Sequence, residues 1–318
     1  MPSSQFSLDS IPDLTGRVYL VTGGNTGIGL STVIGLASQG AKVYMGCRSE
    51  VKARAAIDEI EAQIKATNVH FLSLDLSSFN SVLSAASEIK AKETALHGLI
   101  NNAGIMGVPF EKTDDGYEVQ FQTNYMSHWL LTYHLLPILT TTGAANQDIS
   151  RIVNVTSDGH ERFAPACGIK FNDIDLKEEG AMTRYGQSKL ANVLHVKELN
   201  RKYGPSSTSE AHLCVAAVHP GHIDTHLNKQ ATGTAPGMVL RLVTPIMRCV
   251  GILDDRSKGA LSSIFAIASE GFKAADSGAY VVPYAKIGTP SALALDQTLA
   301  TELWNWTEKE LGSKGFLQ

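Results

Sequence analysis

Cysteine is scarce in this chain of 318 residues: four stand at positions 47, 167, 214 and 249, and none forms a CxxC pair. That spacing excludes a disulfide-stapled scaffold and a cysteine-rich metal centre. It fits free, buried or half-buried thiols in a reducing compartment. An excess of one charge is missing too. Lys and Arg number 27 and Asp and Glu 31, for a formal net charge of −4 without blocks of like sign, which argues against a nucleic-acid partner. Long apolar runs are also absent. None reaches the roughly 18 uninterrupted residues of a membrane span, and the nearest, Met238 to Leu253, is broken by Arg241 and Arg248. The stretch MPSSQFSLDSIPDLTG is polar and holds no apolar signal core. The expectation is a cytoplasmic protein with no transmembrane segment. Since no repeat, low-complexity tract or Gly/Ser-rich linker divides the chain, it reads as one domain over 1–318.

What is present is alternation. RVYLVTG, AKVYMGC, VHFLSLD, GLIN, RIVNVTS and HLCVAAVHP are short, rich in β-branched residues and end in turn-forming or polar residues. Helical stretches lie between them, among them Ile28 to Ser38, Val51 to Lys65 and Phe79 to Lys92. Apolar strands separated by helices predict a parallel sheet covered on both faces, the α/β doubly wound, three-layer αβα class. Three segments read as peripheral: the arm up to Thr15, an insertion at 158–183, and a stretch at 226–256 that follows the last predicted strand and reads as a substrate lid. From Ser291 onward, Leu299, Leu303, Trp306 and Leu311 recur at near-helical spacing, which predicts an outer helix.

The first strand runs into Thr22-Gly23-Gly24-Asn25-Thr26-Gly27-Ile28-Gly29, and a helix follows at once. Glycines in that context let the backbone approach a pyrophosphate seated on a helix N-terminus. The second strand ends in Gly46-Cys47-Arg48-Ser49. An NAD site places a carboxylate there for the ribose 2′-hydroxyl. Arg48, with Lys52 one helical turn later and Asn25 within reach, instead suits the 2′-phosphate of NADP(H). Tyr185 and Lys189 are spaced i to i+4, which puts phenol and ammonium on one helix face. A nearby cation is expected to lower the phenol pKa from about 10 and so make Tyr185 a usable acid or base. Ser157 ends the fifth strand, where its hydroxyl can stabilise charge on a substrate oxygen.

Taken in order, the TGxxxGxG turn, Asn101-Asn102-Ala103-Gly104, Gln122-Thr-Asn124-Tyr125, Ser157, Tyr185-Gly-Gln-Ser-Lys189 and Pro220-Gly221-His222-Ile223-Asp224-Thr225 resemble the short-chain dehydrogenase/reductase family over roughly 17–280. The resemblance implies a Rossmann-type fold. It implies catalytic Ser157, Tyr185, Lys189 and Asn124, the last supporting a water-linked proton path to the lysine. It implies cofactor contacts from Gly23, Asn25, Thr26, Gly27, Ile28, Gly29 and Arg48, from Asp75 and Leu76 at the adenine, and from Asn102, Ala103 and Gly104 beside the adenosine. Tyr185 and Lys189 belong to the same set, the lysine through the nicotinamide ribose. Pro220, Ile223 and Thr225 complete it near the nicotinamide.

The long gap between Ser157 and Tyr185, the sequence through Asn192 and the Cys47-Arg48 strand end resemble the retinol-dehydrogenase and WW-domain-oxidoreductase branch. They also resemble soluble members of fungal secondary metabolism that reduce ketones on polyketide-like molecules. The expected activity is hydride transfer between NADP(H) and a ketone or alcohol of a bulky, largely apolar small molecule, in a homodimer or homotetramer. Two alternatives stand beside it: a redox-silent NADP(H)-binding scaffold or cyclase, and reduction of a carbon–carbon double bond. His219, His222 and His226 lie close together, but Pro220-Gly221 breaks any helix that would align them, and no metal is expected. His160 and Glu161 either reach the substrate or belong to a surface loop.

Overall fold

The computed structural model describes residues 6–64, 68–145, 149–208, 213–221, 223 and 255–318. Of the expected lid at 226–256, all but Asp255 and Arg256 lie outside the described residues, as do Thr225, His222 and His226.

The six predicted strands form as β1 (Val18–Thr22), β2 (Lys42–Cys47), β3 (Val69–Ser73), β4 (Gly98–Asn101), β5 (Ser150–Val155) and β6 (Leu213–Val218). Their composition explains their place. All residues of β1, β4 and β6 are buried, as expected when β-branched and aliphatic side chains project from both faces of a covered sheet. Each fully buried Val, Leu or Ile contributes about 1.5–3 kcal/mol. Two short strands were not predicted. β7 (Ala279–Val282) joins β6 in parallel, and β8 (Lys286–Gly288) turns back antiparallel. The sheet order is β3-β2-β1-β4-β5-β6-β7-β8, parallel except for the last pair.

Helices cover both faces. α1 (Gly27–Ala37), α2 (Glu50–Ile64) and, after 255, α8 (Arg256–Ala268) enclose one core, with Leu36, Ile60 and Ile264 against Val21 and Met45. The opposite core is built by α3 (Phe79–Lys92), α5 (Ser127–Ala145), α7 (Ala181–Tyr203) and the C-terminal α10 (Gln297–Ser313). Short α4 (Val119–Phe121) runs through a π-helical turn at Gln122–Met126 into α5; α6 (Gly159–Arg162) and α9 (Ala292–Leu295) are single turns. The inward face of α10 carries Leu299, Leu303, Trp304, Thr307 and Leu311. The expected Trp306 is only half-buried, against Phe121 and Phe171.

The chain starts at β1, moves outward to β3, then crosses back to β4. At such a reversal the helices depart to opposite sides and leave a crevice beyond the strand C-termini. The turns after β1, β2, β4 and β5 open into it. The expected arm up to Thr15 packs outside, with Phe6 edge-on to Phe265 and Ile11 and Leu14 buried.

Candidate active site

The crevice is a cleft of about 860 Å³. The β1–α1 turn forms one wall, with Gly23 and Gly27 at φ of +64° and +57°. Side chains are barred here by contact as well as by conformation. A Cβ on Gly29 would stand 2.3 Å from the Gly23 carbonyl oxygen, and one on Gly23 would stand 3.0 Å from Ala103 Cβ. The result is bare backbone at the N-terminus of α1, the arrangement that suits an anion. Asn25, Thr26, Ile28, Arg48, Asp75, Leu76, Asn102, Gly104, Pro220 and Ile223 border the same cleft. Arg48 is exposed, stands beside Ser49 and Lys52, and has no acidic partner among the described residues. The Asp75 carboxylate accepts from the Ser77 amide and hydroxyl at 2.9 and 2.7 Å, which shapes the turn after β3.

Farther along the cleft, β5 and α7 bring Ser157, Tyr185 and Lys189 together. Tyr185 Oη donates to Ser157 Oγ at 3.1 Å, and the Gly159 amide donates to the same oxygen at 3.0 Å. With two donors already accepted, the Ser157 hydroxyl keeps its own proton for a further acceptor in the cleft. Gly159 was not singled out from sequence, yet a Cβ there would meet Tyr185 Cε1 at 2.8 Å and Ser157 Oγ at 2.9 Å. Lys189 Nζ donates to the Val155 carbonyl at 3.0 Å and lies 5.7 Å from the Tyr185 ring centre. Both side chains are nearly enclosed, at 4% and 3% exposure. Burial pushes the Tyr185 phenol up to about 12 and brings the Lys189 ammonium down to about 8.

Asn124 stands in the π-helical turn, behind the cleft wall. Its side chain is fully engaged: Oδ1 accepts from the Ile105 amide at 2.8 Å, and Nδ2 donates to the Ile105 carbonyl at 3.0 Å and to Ser188 Oγ at 2.9 Å. π-helical turns recur at functional sites because they redirect a few residues within a helix.

His160 is buried, and neither sequence reading of it holds. Its Nδ1 donates to the Ser157 carbonyl at 2.7 Å and its Nε2 accepts from the Ser291 amide at 3.2 Å, which ties the serine to the C-terminal segment. Ile105, Met106, Val119, Phe163 and Met182 give the cleft an apolar flank beside Tyr185. Nothing in the sequence singled them out, since apolar lining residues carry no motif. The insertion is largely loop. Gln187 on α7 holds it by accepting from the Lys170 amide at 3.0 Å and donating to the Ile174 carbonyl at 2.9 Å. Cys47 and Cys214 are buried, whereas Cys167 is exposed. No described helix is long and apolar enough to cross a membrane.

Comparison with known proteins adds relatives to this geometry. A family model described as short chain dehydrogenase matches residues 17–167. Short-chain dehydrogenase/reductase drtF of Aspergillus calidoustus is 51% identical over 315 residues, which span 97% of this chain and 98% of that protein. Retinol dehydrogenase 12 of Homo sapiens is 35% identical over 302 residues, covering 94% and 87%. A solved structure from Mycobacterium paratuberculosis is similar with a TM-score of 0.72 and 28% identity, covering 96% of this chain and 97% of its own.

Proposed function

Because the chain belongs to the short-chain dehydrogenase/reductase family of NAD(P)-dependent oxidoreductases, we propose that it transfers a hydride between NADP(H) and a ketone or alcohol of a bulky, largely apolar small molecule. The observation that carries the reading is the contact of Tyr185 with Ser157, with Lys189 beside it, in the same cleft as the bare glycine turn.

The cleft fits the cofactor in its parts. Gly23 to Gly29 present main-chain groups and no side-chain bulk to a pyrophosphate. Arg48 and Lys52, with Asn25 across the turn, offer cations and an amide to a 2′-phosphate. Asp75 and Leu76 line the part of the cleft that would take the adenine, Asn102 to Gly104 the part that would take the adenosine, and Lys189 would hold the nicotinamide ribose. Pro220 and Ile223, which line the cleft, would meet the nicotinamide, and Thr225 of the same motif lies outside the described residues. When bound, the cofactor supplies or accepts the hydride.

The chain's own part is to place and protonate the substrate oxygen. The spare proton of Ser157 donates to that oxygen and holds it beside Tyr185. The Tyr185 phenol then gives up its proton as the carbonyl becomes an alkoxide, and takes one back in the reverse direction. Lys189 fixes the geometry at the end of β5 through the Val155 carbonyl. The apolar flank at Met106, Phe163 and Met182 supports a large apolar substrate, and so does the likeness to a protein named for retinol.

The test is oxidation of NADPH, with NADH in parallel, by the purified protein and a panel of bulky apolar ketones and enones, with product analysis. Alcohol formed faster with NADPH supports the reading. Saturation of a carbon–carbon bond, or NADPH binding without turnover of any ketone, overturns it.

A further inference from the structure

A closed circuit of hydrogen bonds runs behind the cleft wall, and His128 is the link that fixes its sense. The Asn124 main-chain oxygen can only accept, so His128 Nδ1, 3.0 Å away, carries the proton. The ring is 1% exposed and burial brings its pKa down to about 4, so it holds one proton and Nε2 is an acceptor. Thr22 Oγ1 stands 2.8 Å from Nε2 and donates to it. That same oxygen accepts from the Asn102 and Ala103 amides, each at 2.9 Å, which occupies both its lone pairs. The Ile100 carbonyl, at 3.4 Å, is the poorer alternative for the hydroxyl proton.

From the other side, Asn124 grips both main-chain groups of Ile105. The path therefore returns on itself: Thr22 to His128, to Asn124, to Ile105, and back along Gly104 and Ala103 to Thr22. The enclosed turn is cleft wall. A Cβ on Gly104 would lie 3.1 Å from Asn124 Oδ1 and 3.4 Å from Lys189 Nζ, so the turn leaves no room for a side chain between itself and those two groups.

We propose that His128, in its Nδ1–H tautomer, is a positioning residue that closes this ring and thereby holds the 102–105 turn in register with Asn124 and Lys189. The functional half of the inference rests on the oxidoreductase reading above, whereas the ring itself does not.

Three variants separate the roles. His128→Leu removes both links. His128→Asn places an amide donor near the position of Nδ1, and His128→Gln places an amide oxygen near the position of Nε2. With NADPH and the ketone turned over fastest by the wild type, kcat of the Leu variant is expected to fall by about a hundredfold, the cost of a small misplacement near the chemistry. The Asn and Gln variants should recover part of that loss, and NADPH affinity should change much less than kcat. Wild-type kcat in a folded Leu variant would overturn the proposal. So would losses that follow melting temperature alone, whatever the side chain can donate or accept.

Nitrogen-15 NMR of the wild type tests the ring without any substrate and without any variant having to fold. The proposal requires a neutral Nδ1–H imidazole and slow amide exchange at Asn102, Ala103 and Ile105. An Nε2–H tautomer or rapid exchange at those amides sinks it. Should NADPH bind and no ketone turn over, the oxidoreductase reading falls while the NMR result still decides the ring.

Discussion

Burial displaces both members of the Tyr185–Lys189 pair toward their neutral forms. For Tyr185 the loss of water is the largest influence, the Ser157 hydroxyl opposes it, and Asp158 adds to it. The cation expected from sequence to lower the phenol pKa is not among the influences on it, and the loss of hydration that a nearly enclosed phenolate would suffer sets the direction. The sign matters for direction. With the pKa raised above its usual 10, the phenol keeps its proton through the neutral range and is available there as an acid, the role that the proposed ketone reduction requires. Reduction should therefore be level in pH near neutrality and fall only as the pH climbs toward the raised value. Alcohol oxidation needs the phenolate and should accelerate across the alkaline range. Tyr185→Phe keeps the ring and loses the proton, so kcat should drop by roughly 10²–10⁴-fold while NADPH affinity, read by fluorescence titration, holds. A Phe variant with most of its kcat would show that another group moves the proton. The second prediction at this scale concerns Arg48. Arg48→Asp removes a phosphate partner and adds a repelling carboxylate that can accept from a 2′-hydroxyl, so the ratio of kcat/KM for NADPH to that for NADH should fall. Each tenfold change in that ratio corresponds to about 1.4 kcal/mol. An unchanged ratio would mean that the guanidinium points into solvent in the working enzyme.

Among the elements, α7 carries Tyr185 and Lys189 and is stitched on several sides. Immediately before Tyr185, Arg184 pairs with Glu118 at 3.3 Å, with side-chain exposures of 5% and 1%. Arg184 also donates to the Glu179 carbonyl at 2.5 Å and the Val108 carbonyl at 3.3 Å, and lies over the Phe110 ring. A single guanidinium thus joins the insertion, the loop after β4 and α7. Removing one partner of a buried pair strands the other, at a cost of about 3–5 kcal/mol. Glu118→Leu should lower unfolding stability by that order in a denaturant titration. A loss under 1 kcal/mol would mean that water reaches Arg184 readily. How far such features are legible in sequence follows from their physics. β1 to β6 could be read because continuous β-branched runs are what a sheet covered on both faces demands. β7 and β8 could not: AYVV and KIG are too short to display a period, and two of the three β8 residues are exposed. The cleft residues could be read because the glycine turn, Ser157 and the Tyr185–Lys189 spacing are local patterns. Glu118 with Arg184, and Thr22 with His128, are 66 and 106 positions apart. Such pairs become neighbours only once the sheet has formed. Trp304 replaced the expected Trp306 because a residue's inward turn on α10 depends on where the helix settles, and spacing alone leaves that phase open by one or two positions.

On the scale of the whole molecule, the core between the sheet and α5, α7 and α10 contains polar groups that must stay uncharged. His195 lies among Tyr125, Trp129 and Trp304, with Asn154 Nδ2 3.1 Å from its Nδ1. His128 lies in the circuit with Thr22 and Asn124. Burial lowers their pKa values to about 3 and about 4 from an ordinary 6.5. In the unfolded chain both take up protons as the pH falls below 6.5, whereas in the folded chain they resist until about 4 and about 3. Through that window the unfolded state binds more protons, so stability rises with pH and is lost as the solution is acidified. The contribution is complete above about pH 7 and falls most steeply between about 6 and 4. With both groups titrating, the slope approaches about 3 kcal/mol per pH unit, twice that of a single proton. Over two units that is a large share of the roughly 5–15 kcal/mol that holds a domain folded, so acid unfolding should begin well above the carboxylate range. Urea titrations at pH 7.5, 6, 5 and 4.5 would measure the slope. His195→Phe keeps an aromatic ring against Trp129 and Trp304 but cannot titrate, so its stability, though lower at neutral pH for want of the Asn154 contact, should fall about half as steeply on acidification. If wild type and variant lose stability in parallel as the pH drops, His195 is not held neutral by the fold, and the acid sensitivity has its origin in other groups.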